Sequence, residues 1–199
     1  MRLNRILALA IPSVVLLAVF PDRPTAMATQ KGGWYERAVK NVEAKFEPAE
    51  AKPGQTVTFK LTVDLKEGYH TYPTVQPDKL AASMVNTITF PAPAGVIFVG
   101  PVTDPKDFET KAEPELMIKE LRYSSGTAVF TRKAVISPKA AAGSATVKLE
   151  SFKLLVCDKS NCFPPKAVPV EASLKILDGP AVAVEKEFAD EVAKALVAK

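Results

Sequence analysis

Apolar and polar residues alternate over long stretches of this chain, and a period of two is the signature of half-buried β-strands. Between residues 55 and 64, Val57, Phe59, Leu61 and Val63 share one face while Thr56, Thr58, Lys60 and Thr62 occupy the other. Similar patterning predicts strands over 42–46, 85–90, 96–99, 145–156 and 168–177. Residues 118–123, 124–126 and 127–137 read as strand, tight turn and strand, a hairpin. Residues 100–115 hold three prolines and many charges, and they predict a loop. Seven or eight strands with breaks every eight to twelve residues, and hardly any helix, predict an all-β fold, an antiparallel β-sandwich. The 17 prolines suit its edges, bulges and loops.

Two stretches depart from period two. Trp34, Ala38 and Val42 would share one side of a helical turn or two. Near the end, Val184, Phe188, Val192, Ala195 and Leu196 recur at helical spacing, with Glu185, Glu187 and Lys194 off the stripe. This amphipathic helix is expected either to pack on the sandwich or to dock a partner.

The first residues look like an export signal. Arg2 and Arg5 precede an apolar run over 6–20, and Ala26, Met27 and Ala28 give a small-x-small pattern, with cleavage expected after Ala28. The run is short for a membrane span, which needs about 20 residues. The expected organisation is therefore a signal peptide over 1–28, a lead segment over 29–41, a sandwich domain over 42–178 and a helix over 179–199. The mature product is expected to be periplasmic or secreted, without stable membrane insertion. Cleavage would remove three basic residues and one acid, taking the formal charge from +4 to +2. The lysines are scattered among acids, which argues against a nucleic-acid partner.

Candidate chemistry rests on two cysteines, Cys157 and Cys162, the only ones in the chain. A bridge closing so short a loop stabilises by about 2 kcal/mol in the chain-entropy model, against about 4 kcal/mol for a loop ten times longer. The pair is thus a poor staple, and redox chemistry becomes a serious alternative to a structural bridge. Turn formers lie between the cysteines over 158–161, so a chain reversal would bring them face to face. Phe163 is restrained by Pro164 behind it. His70 is the only histidine. It reads as an ordinary edge or core residue, as a neighbour of a redox site, or as a third ligand with both cysteines for copper(I) or zinc. One histidine and no G-x-S-x-G leave little room for a hydrolase.

The run from Cys157 through Cys162, Phe163, Pro164 and Pro165, with Gly68, Tyr69, His70, Thr71 and Tyr72 after an early alternating strand, resembles the N-terminal periplasmic domain of the DsbD thiol:disulfide interchange proteins, here as a stand-alone chain. The resemblance covers roughly residues 42–178. It implies an immunoglobulin-like sandwich with one redox-active cysteine pair and no cofactor or metal. It also implies thioredoxin-like periplasmic partners and a separate membrane electron donor. Cys162 would form the mixed disulfide, and Cys157 would resolve it. Phe108, in the segment over 100–115, would be a cap over the pair, with His70, Tyr72 and Phe163 as further shielding residues. The competing expectations are a secreted binding or adaptor module with a structural disulfide, and a copper-handling domain.

Overall fold

A computed structural model describes residues 33–197; the expected signal peptide lies outside them. Helix α1 (Trp34–Ala38) leads into strand β1 (Val39–Glu47), followed by β2 (Glu50–Ala51), β3 (Thr56–Leu65), β4 (His70–Thr71) and β5 (Thr87–Thr89). Then come β6 (Val96–Thr103), β7 (Glu109–Glu113), β8 (Ile118–Ser125), β9 (Thr127–Ile136) and β10 (Gly143–Lys148). Strands β11 (Ser151–Leu154), β12 (Val156–Cys157), β13 (Lys166–Ala167) and β14 (Glu171–Ile176) precede helix α2 (Ala189–Val197).

The fold is an all-β sandwich. One layer is an antiparallel sheet in the order β1-β3-β9-β6. Its central strand β3 keeps the alternation expected of it: Val57, Phe59, Leu61, Val63 and Leu65 are each no more than 1% exposed. These side chains meet Phe152, Leu154, Val156, Leu174 and Ile176 in one core. The last five belong to β11, β12 and β14, so the sheets β13-β11-β5 and β10-β14-β2 form the opposite layer. Phe59 lies at the aromatic centre, 5.5–5.7 Å from the rings of Phe46, Phe90 and Phe98.

The outer face of β6 and β9 is also apolar, through Ile97, Val99 and Val135. Helix α2 covers it with Val192, flanked by Phe188, Ala195 and Leu196. The C-terminal helix therefore packs on the sandwich, the first of its two expected placements. The Glu191 carboxylate anchors it by accepting the Gly100 N–H at 3.0 Å.

A further sheet, β12-β4-β8-β7, carries the cysteine region. Three local expectations change here. The hairpin over 118–137 does not form: β8 pairs with β4 and β7, whereas β9 pairs with β3 and β6. Gly126, at φ +71°, lets a nearly continuous strand cross from one sheet to another. The expected loop over 100–115 is partly strand, because β6 runs on to Thr103 and β7 pairs along β8. An edge strand such as β7, with exposed Glu109, Thr110 and Ala112, needs little apolar sequence. The single strand expected over 145–156 is divided into β10, β11 and β12, since the chain changes partners along the way. At the start, α1 ends at Ala38 and Val39 already has extended backbone, so Val42 belongs to a strand.

Candidate redox site

Cys157 lies on β12, opposite His70 of β4. Beyond it the chain reverses tightly. The Asp158 N–H donates to the Asn161 carbonyl at 2.8 Å, and one Asp158 carboxylate oxygen accepts the N–H groups of Ser160 and Asn161, both at 2.7 Å. Those bonds hold the Asp158 carboxyl below its ordinary pKa. The Phe163 N–H then returns to the Val156 carbonyl at 3.0 Å. This small hairpin places the cysteine Cα atoms 4.0 Å apart and closes a Cys157–Cys162 disulfide.

The two sulfurs differ in environment. Cys157 is 1% exposed, within a satellite core with Tyr72, Ile118, Leu121 and Leu155. Cys162 is exposed at the surface. The Tyr72 hydroxyl lies between them, donating to Cys157 Sγ at 3.1 Å and lying 3.7 Å from Cys162 Sγ. Burial, helped by the Glu113 charge, pushes the Tyr72 pKa up to about 12, so this hydroxyl keeps its proton at neutral pH. His70 Nε2 is 3.2 Å from the same hydroxyl. The Nε2–H tautomer lets the imidazole donate to Tyr72 while Tyr72 donates to sulfur. Burial, reinforced by Lys111, holds the His70 pKa below its ordinary value, which favours the neutral ring.

Buried polar side chains fix the floor. Asn86 Oδ1 accepts the Leu155 N–H at 2.8 Å, and its Nδ2 donates to the Tyr72 carbonyl at 2.6 Å and to Thr71 Oγ1 at 2.9 Å. Thr71 Oγ1 donates to the Leu155 carbonyl at 2.8 Å. Leu155 separates β11 from β12, so side chains satisfy its backbone groups where a ladder does not. Gln76 plays a similar part, donating to the Met84 and Arg122 carbonyls and accepting the Arg122 N–H.

Of the residues expected at the site, Cys157, Cys162, His70 and Tyr72 come together. Phe163 follows the exposed sulfur and stacks on Trp34, with centroids 5.4 Å apart and planes 6° apart; it also approaches Tyr69 at 6.3 Å. Phe108 is half-buried in the segment between β6 and β7. Asp104 of that segment accepts the Thr74 N–H at 2.7 Å, so the segment is tied to the chain just after Tyr72. Asn86, Tyr123 and Glu109 were not signalled by the sequence. Tyr123 packs its ring 5.0 Å from His70 and donates to Glu109 at 3.2 Å. Nothing local in the sequence distinguishes these side chains from other polar and aromatic residues. Among the described residues, no three His, Cys, Asp or Glu side chains converge as a metal site. No helix among them is long and apolar enough to cross a membrane.

No protein-family profile and no curated protein sequence matches this chain. Solved structures are similar to it over part of its length. The N-terminal periplasmic domain of ScsB from Proteus mirabilis is similar at 15% identity, over 74% of this chain and 50% of that one, with a TM-score of 0.37. This chain thus spans about half the length of that ScsB chain. BcpA, the major pilin subunit of Bacillus cereus, is similar at 8% identity, over 68% of this chain and 39% of that one, with a TM-score of 0.34. A chain of the Coh-OlpA-Doc918 cohesin–dockerin complex of Clostridium thermocellum is similar at 16% identity, over 69% of this chain and all of that one, with a TM-score of 0.32.

Proposed function

We propose that this protein is a periplasmic thiol-disulfide interchange protein that relays electrons through Cys157 and Cys162. The observation that carries this reading is the asymmetry of the pair: Cys162 is an exposed residue, while Cys157 is buried with its sulfur beneath a hydroxyl donor. A bridge with one accessible sulfur suits attack by a partner, since exchange requires a thiolate to reach sulfur. The periplasmic location rests on the export-signal pattern over residues 1–28.

In the reducing half-reaction, a thiolate of a dithiol donor attacks Cys162 Sγ. The Cys157–Cys162 bond breaks, and a bond forms between the donor sulfur and Cys162. Cys157 leaves as a thiolate, stabilised by the hydrogen bond from Tyr72. The donor's second thiolate then attacks the donor sulfur of the mixed disulfide and releases Cys162 as a thiolate. Two electrons have passed to this chain and the donor is oxidised. Toward an oxidised partner, Cys162 attacks the partner's disulfide, and Cys157 resolves the mixed disulfide by attacking Cys162. Thioredoxin-like periplasmic proteins and a membrane electron donor are the partners proposed. Phe108, in the segment that Asp104 ties to Thr74, would be the cap that shields the pair.

The reduction potential of the pair tests this reading, measured by equilibration with glutathione or dithiothreitol buffers. A value between about −120 and −270 mV is expected of an exchange protein. A value below about −300 mV identifies a structural bridge and returns the adaptor-module reading. Cys157→Ser should also accumulate a mixed disulfide through Cys162 when mixed with an oxidised thioredoxin-like protein, and Cys162→Ser should not.

A further inference from the structure

Phe163, next to Cys162 in the chain, forms an aromatic ledge with Trp34 and Tyr69. Continuous with it through Tyr69 is an open cleft of about 570 Å³, walled by Tyr69 and His70, with Lys159 of the cysteine hairpin in its lining. Tyr69 is shared by ledge and cleft, and His70 is the cross-strand partner of Cys157, so the cleft adjoins the disulfide.

The cleft is basic. Lys40, Lys66 and Lys159 line it against a single acid, Glu67, and all four are exposed. Acids also flank the rim, and they are engaged: Glu109, hydrogen-bonded to Ser125 of the lining, also accepts from the Tyr123 hydroxyl at 3.2 Å. Asp158 turns a carboxylate oxygen to the Ser160 and Asn161 N–H groups, and Glu36 pairs with Lys166 at 4.0 Å. Lys66 is also positioned, its ammonium donating to the Glu36 carbonyl at 2.7 Å. A concave site of this volume is in the range that takes small molecules, and three cations favour a bound anion.

We infer that this cleft seats a peptide-sized thiol bearing carboxylates, and that such a molecule exchanges directly with the Cys157–Cys162 pair. The inference rests on the interchange reading and assigns it a small-molecule partner besides proteins. Carboxylates held by Lys40, Lys66 and Lys159 would direct the thiolate toward the exposed Cys162 Sγ. Attack forms a mixed disulfide between the small molecule and Cys162, and breaks the bond to Cys157, which leaves as a thiolate and takes a proton from solvent. A second molecule of the thiol attacks the small-molecule sulfur, forming that molecule's own disulfide and freeing Cys162. Two thiols are oxidised and one protein disulfide is reduced.

The test compares reduction of the purified protein by glutathione, which is anionic, by 2-mercaptoethanol, which is neutral, and by cysteamine, which is cationic. Each rate is divided by that thiol's rate with hydroxyethyl disulfide, to remove intrinsic reactivity. At low salt the normalised glutathione rate should exceed the cysteamine rate by about tenfold, and the gap should close in about 0.5 M salt. The double variant Lys40→Glu/Lys159→Glu should reverse the order, and the remote Lys139→Glu should not. S-methylglutathione, which lacks a thiol, should slow reduction by glutathione. Equal normalised rates for the three thiols, unchanged by the double variant, overturn this inference and leave the interchange reading standing. Failure of all three thiols to reduce a pair whose potential lies between about −120 and −270 mV overturns this inference alone, and a potential below about −300 mV overturns both.

Discussion

The main sandwich and the sheet that carries the disulfide are built on different terms. The sandwich joins strands of up to ten residues through long ladders, such as β3 with β9 from Thr56↔Val135 to Asp64↔Thr127, and fills the space between its layers with aliphatic and aromatic side chains. The cysteine sheet pairs two-residue strands, β4 and β12, and relies on Asn86, Thr71 and Gln76 to satisfy backbone groups. Burial of apolar area is non-directional and tolerates repacking, whereas side-chain hydrogen bonds fix atoms at stated positions. The first arrangement sets whether the chain folds, and the second sets where the Tyr72 hydroxyl and the two sulfurs sit.

The largest effect should come from the sandwich. Phe59→Ala removes the ring at the centre of the aromatic cluster and should cost about 4 kcal/mol. Urea unfolding followed by Trp34 fluorescence should show a single, much earlier transition, with the disulfide site lost together with everything else. An unchanged midpoint would mean that this core does not govern the fold.

Asn86→Ala probes the other region. It leaves the buried Leu155 N–H and Tyr72 carbonyl without their side-chain partners, a loss of about 2–3 kcal/mol. Because the damage is local, reduction of the variant's Cys157–Cys162 disulfide by dithiothreitol should be roughly tenfold faster than in wild type, through opening of the cysteine sheet below the global transition. If unfolding and disulfide reactivity shift together, as with Phe59→Ala, the two regions are one cooperative unit and the contrast drawn above fails.

The same contrast explains what the sequence made legible. Alternation identified β3, β9 and the helical spacing of Val184, Phe188 and Val192, because burial imposes a periodic demand on side chains. The cysteine hairpin was legible from turn formers over 158–161, and Asp158 does organise it. The hairpin expected over 118–137 was misread, since Gly126 permits either a tight turn or a crossing between sheets, and only the pairing of β8 with β4 and β7 decides. Asn86 was invisible for another reason. Its partners, Leu155 and Tyr72, are distant in sequence, and a single buried amide leaves no periodic trace.

A smaller effect is expected at the sulfur itself. Tyr72→Phe keeps the ring that packs with Ile118 and Leu121 but removes the donor to Cys157. A hydrogen bond to a developing thiolate is worth more than one to a neutral sulfur, by about 1 kcal/mol, or roughly fivefold in rate. Stopped-flow reduction should slow by that factor while the thermal midpoint barely moves. A large loss of stability with an unchanged rate would instead make Tyr72 a packing residue.

The finest test is a pH dependence in the same sheet. Burial, and Lys111 next, hold the His70 pKa below its ordinary 6.5, while Glu109, Asp158 and Glu113 oppose the shift. Facing the ring are also Tyr72 and Tyr123, neither charged in this range. The unfolded chain therefore takes up a proton at a higher pH than the folded chain does. The contribution of the neutral imidazole to stability is complete above about pH 6.5 and is lost as the pH falls through that value. His70 is half-exposed, so solvent screening keeps the effect under about 1 kcal/mol. Asp78, Glu109 and Asp158, whose pKa values are also held down, lose their contributions only near and below pH 4, well outside this window. Since the sequence holds one histidine, melting between pH 7.5 and 5.5 isolates it. Wild type should lose stability across that interval, and His70→Gln, which keeps a polar side chain without titrating, should lose less. A wild type equally stable at both ends would show that His70 is hydrated rather than held between Tyr72 and Tyr123, and the donor chain to Cys157 would then begin at Tyr72.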